Sequence, residues 1–410
     1  MRIITISPIY IPLELKSGID PRLDLYQSVI DALPDKSDDV VVPNAGGDGV
    51  SVDFDDLSQD DYDLRLMVWT PKVDDDAPKV EFHIYSNGIA SLILDFNLED
   101  GLSPNQVETE AQEKTCAEVE RWAAPLNGLL SDIHSKLPKR VVDQTRALEP
   151  VDKSKIAWTA RTVIFNKDHL AEARSKAFIR EWLAETVRPN DAQKIIDGEL
   201  DRSITWVNYV IVDKPESDLA EILHVVRLSQ FFFAAQYELN LRTQKALIEA
   251  SFEKNIRTAK QMLGDAREKM QHLSIQFHVQ RSFLRRSRKV EMDALLKGWD
   301  FDNLVENGER MVKASTSKID QIVSSRSERS SFVTDLILAV IALLTVVELS
   351  LYFSEYSRKL MSNPALEYYD DDMSWLLAGI AAIDTDTVLL GGALSILTLV
   401  ALYVYWKLKN

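Results

Sequence analysis

Strand-like runs of apolar residues dominate the first hundred positions of the chain. The runs "RIITISPIYI", "LRLMVWT" and "KVEFHIYSNGIASLILDF" are rich in β-branched and aromatic residues. The last run contains Asn87-Gly88 between two β-rich arms, which is the strongest short-range signal for a β-hairpin. The first run contains proline and no small-residue cleavage site, so we predict an edge strand there rather than a signal peptide.

Helical and strand-like segments interleave in the next hundred residues. A helix is predicted from Pro104 to about Leu137, with Ser103 before it and a proline as its first residue. Two further strands, "IAWTARTVIF" and "TWVNYVIVD", follow, and a helix between them starts near Lys167. This interleaving predicts an α/β cytoplasmic domain over residues 1–214. The segment "PDKSDDVVVPNAGGDGVSVDFDDLSQDD" predicts an acidic surface loop.

A long stretch without proline follows Pro215. Apolar residues recur there at helical spacing, which predicts a long α-helical stalk of coiled-coil type over residues 215–330. Residues 298–300 are the predicted corner, and a helix starting near Asp302 is predicted to continue into the apolar segment beyond the stalk. The aromatic run "FFFAAQY" is interpreted as core packing between helix and head.

Two apolar segments near the end of the chain are long enough to cross a membrane. Residues 332–353 form a first span of about 22 residues, and residues 388–406 form a second of about 19. Together they predict a two-helix transmembrane hairpin within a domain over 331–410. The acidic loop between the spans, residues 354–386, is predicted to lie outside the cell.

Basic residues flank the hairpin on one side. Arg326 and Arg329 precede the first span, and Lys407 and Lys409 follow the second. Because positively charged flanks stay in the cytoplasm, we predict an inner (cell) membrane protein with both chain termini cytoplasmic.

Charge is unevenly distributed along the 410 residues, whose formal net charge is -17. Residues 1–110 contain about 23 acidic and about 7 basic residues, whereas residues 254–290 contain about 10 basic and about 2 acidic ones. The single cysteine, Cys116, excludes an internal disulfide and is consistent with a reducing compartment. The chain therefore has an acidic head, a basic middle and an apolar tail.

The segment "QRSFLRRSRKV", residues 280–290, is called the basic stretch below. Its residues Arg281, Arg285 and Arg288 recur at i, i+4 and i+7, which would place them on one helical face. Arginine binds phosphate oxygens bidentately, so this face predicts an anion or oligonucleotide site. The alternative is a solvated face or one paired with the acidic head. The predicted site comprises Arg281, Arg285, Arg286, Arg288, Lys289, Arg257 and Lys260.

Two carboxylates lie in the predicted first span. Glu348 is surrounded by apolar residues, and Asp335 lies near the inner end. An intramembrane acid usually faces a bundle interior or a watery cavity. In a homo-oligomer these acids would form rings that line a pore for a permeating cation. The alternative is that both acids lie at the bilayer interfaces.

No arrangement typical of catalysis or metal binding is visible in the sequence. The six histidines show no paired metal spacing, and no serine lies in a nucleophile elbow. We therefore predict a protein that is not an enzyme and uses no cofactor or metal ion.

The order of these parts resembles the CorA-like two-transmembrane channel superfamily. That resemblance implies a funnel-shaped homo-oligomer whose first span lines the pore. The family's Gly-Met-Asn motif is missing, and the chain reads "FSEYSRKLMSN" at that place. In addition, "FHIYSNGIASLILDF" and "DLILAVIALLTVVE" are similar to segments of the RMD1-like membrane proteins of the DUF155 type. The general build is also similar to ligand-gated membrane effectors of bacterial antiphage defence.

These observations predict a homo-oligomeric membrane ion channel gated by a cytoplasmic anionic ligand. A nucleotide or a single-stranded oligonucleotide would fit the basic stretch, and a membrane-depolarising defence role would fit the last resemblance. Two alternatives stay open. One is a non-conducting membrane scaffold that binds a protein partner, and the other is a divalent cation transporter.

Overall fold

The computed structural model describes residues 1–16, 40–41, 65–73, 77–139, 142, 149–253 and 255–362, together with scattered residues between 375 and 401. The chain divides into two compact units, Met1–Ser317 and Lys318–Asn410. The first unit contains a sheet with helices on both faces. Most of the predicted acidic loop lies outside the described residues.

The described strands form one sheet in the order β2-β3-β4-β5-β1-β6-β8-β7. Among them only β6 and β8 pair in parallel, and the other neighbours are antiparallel. A parallel pair needs a long crossover, and helices are found in the connection between β6 and β8. The predicted α/β domain is therefore a mainly antiparallel sheet domain. The strands are β1 (Arg2–Glu14), β2 (Val40–Val41), β3 (Arg65–Trp69), β4 (Lys79–Tyr85), β5 (Asn87–Asn97), β6 (Ala160–Phe165), β7 (Arg202–Ile204) and β8 (Asn208–Val212).

Strand β1 is central, so the prediction of an edge strand was wrong. It pairs with β5 along its length and with β6 only from Arg2 to Ile6. Pro8 lies beyond the segment of β1 that pairs with β6. Its missing N–H therefore interrupts no hydrogen bond between these two strands. A proline in the middle of a long strand therefore does not exclude a central position for the strand, provided that the proline lies outside the paired segment on one side.

The predicted hairpin is confirmed as β4 and β5. Ile84 pairs with Ala90, and Gly88 between them has a φ of +82°. This left-handed conformation carries no steric cost at glycine, which explains why the Asn-Gly signal was informative.

Each face of the sheet is covered by helices. Helix α1 (Pro104–Lys136) begins with a capping box in which the Ser103 hydroxyl accepts from the Gln106 N–H and the Gln106 side chain accepts from the Ser103 N–H. Residues of α1 such as Val107, Ala111 and Leu130 share one apolar core with Ile3 of β1. Ile4 belongs to the opposite core, as strand alternation requires.

The second core contains the long helices that follow the sheet. Phe231 and Phe232 are buried in it, so the aromatic run is confirmed as core packing. The first unit extends past the predicted domain end at residue 214, because these helices share a core with the sheet. The remaining helices are α2 (Lys167–Ala171), α3 (Ala173–Ala184), α4 (Asp191–Ile196), α5 (Glu216–Ile248), α6 (Ile256–Phe283), α7 (Arg286–Gly298) and α8 (Phe301–Ser362).

The predicted corner lies between α7 and α8. Trp299 caps α7 and donates its ring N–H to the carbonyl oxygen of Thr205, and Asp300 has a φ of +57°. Helix α8 then continues from Phe301 to Ser362 and contributes residues to both units. The predicted continuity of this helix is confirmed.

Candidate functional site

The basic stretch is not one helical face. Helix α6 ends at Phe283, Leu284 has extended backbone with a ψ of 140°, and α7 begins at Arg286. The break has a packing cause, because Leu284 is buried in the core with α5 and α7. Arg281 and Arg288 therefore lie on different helices, and the predicted i, i+4, i+7 face was wrong.

Two arginines of the basic stretch pair with carboxylates of the same unit. Both guanidinium contacts of Arg281 to the Asp293 carboxylate are 2.6 Å long and join α6 to α7. The Arg281 hydrogen bond lowers the pKa of Asp293 below its ordinary value, and Lys289 adds to this effect. Arg288 is only 2% exposed and donates to Glu221 of α5 at 3.2 Å.

The other predicted anion-binding residues are spread over a long distance. Arg257 and Lys260 are exposed in the first turns of α6, and Arg286 is exposed at the start of α7. Arg285 and Lys289 are half-buried. At 1.5 Å per residue, Arg257 and Arg281 are about 36 Å apart along α6. Within one chain the structure therefore does not bring the predicted set together.

A different group of charged side chains surrounds a cavity of about 320 Å³ between the sheet and α5. Strands β1, β3, β4 and β5 supply one wall, and the first three turns of α5 supply the other. Apolar residues Ile4, Ile93, Leu219 and Leu223 line part of it. The charged lining comprises Arg2, Arg65, Lys79, Glu81, Asp95, Glu216 and Arg227.

Four cavity residues are called the cavity cluster below: Arg65, His83, His224 and Arg227. They are buried, with exposed fractions of 4%, 6%, 6% and 3%. Arg227 contacts both histidines, with its Nη2 at 2.7 Å from His224 Nδ1 and its Nη1 against His83 Nδ1. Arg65 Nη1 also lies 3.2 Å from His83 Nδ1. The cluster thus joins two guanidinium groups through imidazole acceptors.

A guanidinium group can only donate a hydrogen bond, so Nδ1 of each histidine is the acceptor in these contacts. His83 Nε2 is 3.3 Å from the Glu81 carboxylate, and this hydrogen bond lowers the pKa of Glu81 to about 2.

Local structure explains how these side chains meet. Glu81 and His83 are two residues apart on β4 and share one face of the strand, while His224 and Arg227 are three apart and share one face of α5. Arg65 reaches the same place from β3, which pairs with β4. The sequence signal that we did not use is the His-x-x-Arg spacing within the apolar face of α5.

At the mouth of the cavity, the cations pair with acids. Arg2 donates to Asp95 at 3.0 and 2.7 Å and also pairs with Glu216. These hydrogen bonds, with that of Asp95 the largest, raise the pKa of Arg2. Lys79 lies 3.0 Å from Glu81. The mouth of the cavity therefore carries both cations and acids, and two guanidinium groups lie at its buried end.

A third charged group ties β1 to α5 and α6. Glu14, which is 4% exposed, accepts from Arg242 at 2.8 and 2.9 Å and from Lys269 at 2.8 Å. Burial alone would raise the pKa of Glu14, but the charges and hydrogen bonds of Arg242 and Lys269 outweigh it and lower the pKa. Asp265 pairs with Lys269 at 2.9 Å. This network is structural, because it joins three elements of the first unit.

In the second unit, one described helical segment, Leu336–Lys359, is long and apolar enough to cross a membrane by length and composition. Glu348 is exposed on it, and Asp335 lies on the same helix just before it. Of the predicted second span, the described residues 389–395, 397–398 and 401 are helical, and the rest lies outside the described residues.

A close approach within the second unit involves Gly392. A Cβ at this position would lie 2.8 Å from Val347 Cγ2 of α8, so only glycine fits here without displacing the valine. Arg358 of α8 also donates to the carbonyl oxygen of Ile383 at 2.5 Å. Segments that follow α8 in the chain therefore contact it.

Comparison with protein-family models, curated proteins and solved structures finds no match to this chain. Within the described residues, no group of three or more His, Cys, Asp or Glu side chains is placed to hold a metal ion.

Proposed function

We propose that the chain is a membrane-anchored ion channel that works as a homo-oligomer and is gated by an anionic ligand bound to its first unit. The observation that carries this proposal is the Leu336–Lys359 segment. Its 24 residues extend about 36 Å, which exceeds the hydrocarbon thickness of about 30 Å. Large apolar side chains including Ile337, Leu338 and Leu344 are exposed along it, and lipid would cover them.

A second span over residues 388–406 would complete a hairpin. The contact of Gly392 with Val347 supports it, because small residues allow close packing of transmembrane helices. In such a hairpin both chain ends lie on one side of the membrane. The basic flanks of both spans favour the cytoplasmic side.

Assembly into an oligomer is required, because one hairpin cannot enclose a pore. A stripe of exposed apolar residues on α6 supports contact between copies: Ile275, Val279 and Phe283 are spaced four residues apart and are exposed by 61%, 36% and 42%. The acidic head and the basic middle of the chain are also complementary in charge.

Glu348 is the proposed pore residue. A charged carboxylate facing lipid is costly, whereas a ring of carboxylates around a watery pore attracts cations. Asp335 would form a second ring closer to the first unit. Gating is assigned to α8, because this one helix contributes residues to both units and ligand binding in the first unit can act on its base.

Purified full-length protein in planar bilayers tests the proposal. We expect cation currents that change when AMP or a short oligodeoxynucleotide is added on the side of the first unit. Glu348→Gln is expected to alter conductance or cation selectivity without altering oligomer size. Glu309→Gln is the matched control, because Glu309 is an exposed acid of the same helix outside the Leu336–Lys359 segment.

If a confirmed oligomer carries no current under any of these conditions, the channel proposal is rejected and the non-conducting scaffold is favoured. Identical currents from wild type and Glu348→Gln would remove Glu348 from the pore.

A further inference from the structure

We propose that the cavity between the sheet and α5 is a binding site for a small phosphate ester, with Arg65 and Arg227 as its phosphate-binding residues. This assigns the anionic ligand to the cavity cluster instead of the basic stretch. Binding itself is independent of conduction. Only the step from binding to gating rests on the proposed function.

Two guanidinium groups lie together at the buried end of the cavity. Arg65 and Arg227 are both more than nine-tenths buried, and both direct Nη1 at His83 Nδ1. Two guanidinium groups that converge on one atom stand close enough to share one oxyanion. Bidentate donation to phosphate is the arrangement for which arginine is best suited, and low exposure to water strengthens it.

These donors are already held in place. His224 and His83 accept from Arg227, and Glu81 accepts from His83. This chain of hydrogen bonds fixes the guanidinium group of Arg227 before any ligand arrives, so binding loses little side-chain entropy. The histidines and Glu81 are positioning residues.

The size and lining of the cavity suit a small ligand. A volume of about 320 Å³ lies at the small end of ligand pockets, which holds a mononucleotide or a sugar phosphate but not an oligonucleotide. Ile4, Ile93, Leu219 and Leu223 supply an apolar wall for the organic part of the ligand. A phosphate at the arginines and an organic group against this wall would fill both parts of the cavity.

The helix that forms one wall also carries a means of testing the site. Ala220 lines the cavity and is exposed, so its side chain lies at the mouth. Glutamate and lysine are both good helix formers, and either can replace Ala220 at low cost to the fold. They change the charge at the mouth in opposite directions without altering the buried arginines.

The experiment is titration calorimetry of the full-length protein in detergent with AMP, inorganic phosphate and adenosine. We expect AMP to bind, phosphate to bind more weakly and adenosine not to bind. Arg65→Gln and Arg227→Gln are expected to weaken AMP binding at least tenfold. Ala220→Glu should weaken it several-fold, and Ala220→Lys should preserve or strengthen it.

Arg281→Gln is the matched control, because it removes an arginine of the basic stretch outside the cavity, and we expect unchanged AMP affinity. The proposal is overturned if wild type binds neither AMP nor phosphate. That result is expected if a carboxylate of the chain itself occupies the cavity. Loss of binding in Arg281→Gln, or equal affinity of the two Ala220 variants, also overturns it. If Arg227→Gln fails to fold, the difference in AMP affinity between Ala220→Glu and Ala220→Lys tests the proposal instead.

The bilayer recordings separate this inference from the proposed function. AMP binding by a protein that carries no current supports the site and rejects the channel. Currents from a protein that binds neither AMP nor phosphate support the channel and reject the site.

Discussion

The cavity cluster and the basic stretch both concentrate arginine, but the chain assembles them in opposite ways. The basic stretch is contiguous in sequence and divided in space, because Leu284 ends one helix and Arg286 begins the next. The residues of the cavity cluster come from three separate elements of the chain. In the structure, the guanidinium groups of Arg65 and Arg227 both contact His83 Nδ1. The arginines of the cavity cluster are buried, whereas Arg281 and its partner Asp293 are more than one-third exposed.

This difference shows that local charge density is a poor guide to a binding site. Charged side chains that are close in sequence can each turn towards a separate partner, as Arg281 and Arg288 do. Charges that the fold buries together must be stabilised together. We expect the buried groups to contribute more to the free energy of unfolding than the exposed pair does.

The largest effect is expected at Glu14, a buried carboxylate that two cations contact. Glu14→Gln would leave Arg242 and Lys269 facing each other without the carboxylate that joins them. Breaking a buried ion network typically costs about 3–5 kcal/mol in the free energy of unfolding. Denaturant unfolding of wild type and variant measures the difference.

Glu238→Gln is the control for Glu14, because it removes a second acid from Arg242 and leaves the bidentate pair intact. A loss below about 1 kcal/mol for Glu14→Gln would contradict the structural role of this network.

The next effect is expected at Arg227, the centre of the cavity cluster. Arg227→Gln removes the donor that both His83 and His224 accept from. Losing buried hydrogen bonds to a charged group costs about 1.5–3 kcal/mol, so we expect a loss of about that size in the free energy of unfolding. Arg227→Lys should recover less than the full loss, since one ammonium group cannot reproduce the planar fork. An unchanged free energy of unfolding in Arg227→Gln would contradict the hydrogen bonds assigned to the cavity cluster.

A pH effect should distinguish the cavity cluster from the rest of the first unit. The pKa of Glu81 is lowered from its ordinary 4.5 to about 2 by the His83 hydrogen bond. A lowered pKa stabilises the fold above the ordinary value, and this stabilisation is lost as the pH falls from about 5 towards 2. Glu81→Gln should remove this part of the acid sensitivity. The free energy of unfolding measured at several pH values tests it, and parallel pH curves for wild type and variant would contradict it.

The smallest effect is expected in the basic stretch. Arg281→Gln breaks a partly exposed ion pair with Asp293, and such pairs contribute about 0–1 kcal/mol to the free energy of unfolding. High salt should reduce this difference further, because exposed charges are screened. If Arg281→Gln destabilises the fold as much as Arg227→Gln does, the contrast between the two regions is lost.

Local signals in the sequence were sufficient for several elements of the fold. The Asn87-Gly88 hairpin, the Ser103 cap and the corner at Trp299 each depend on a few neighbouring residues. The central place of β1 and the antiparallel sheet depend on pairing between distant strands, which periodicity does not reveal. The break at Leu284 arises from burial against α5, so helical spacing alone could not predict it.

The cavity cluster was missed for a related reason. Arg65, His83 and Arg227 are separated by up to 162 residues, and each alone is an ordinary polar residue in an apolar run. Only strand pairing between β3 and β4 and the packing of α5 on the sheet bring them together. The basic stretch, in contrast, was visible because its residues are adjacent in sequence.

The most direct test of the difference between the two regions is a map of the full-length protein with bound tungstate, an electron-dense oxyanion. We expect strong density in the cavity between Arg65 and Arg227, and no such density in Arg227→Gln. Density at Arg281, Arg285 or Arg286 with none in the cavity would contradict it.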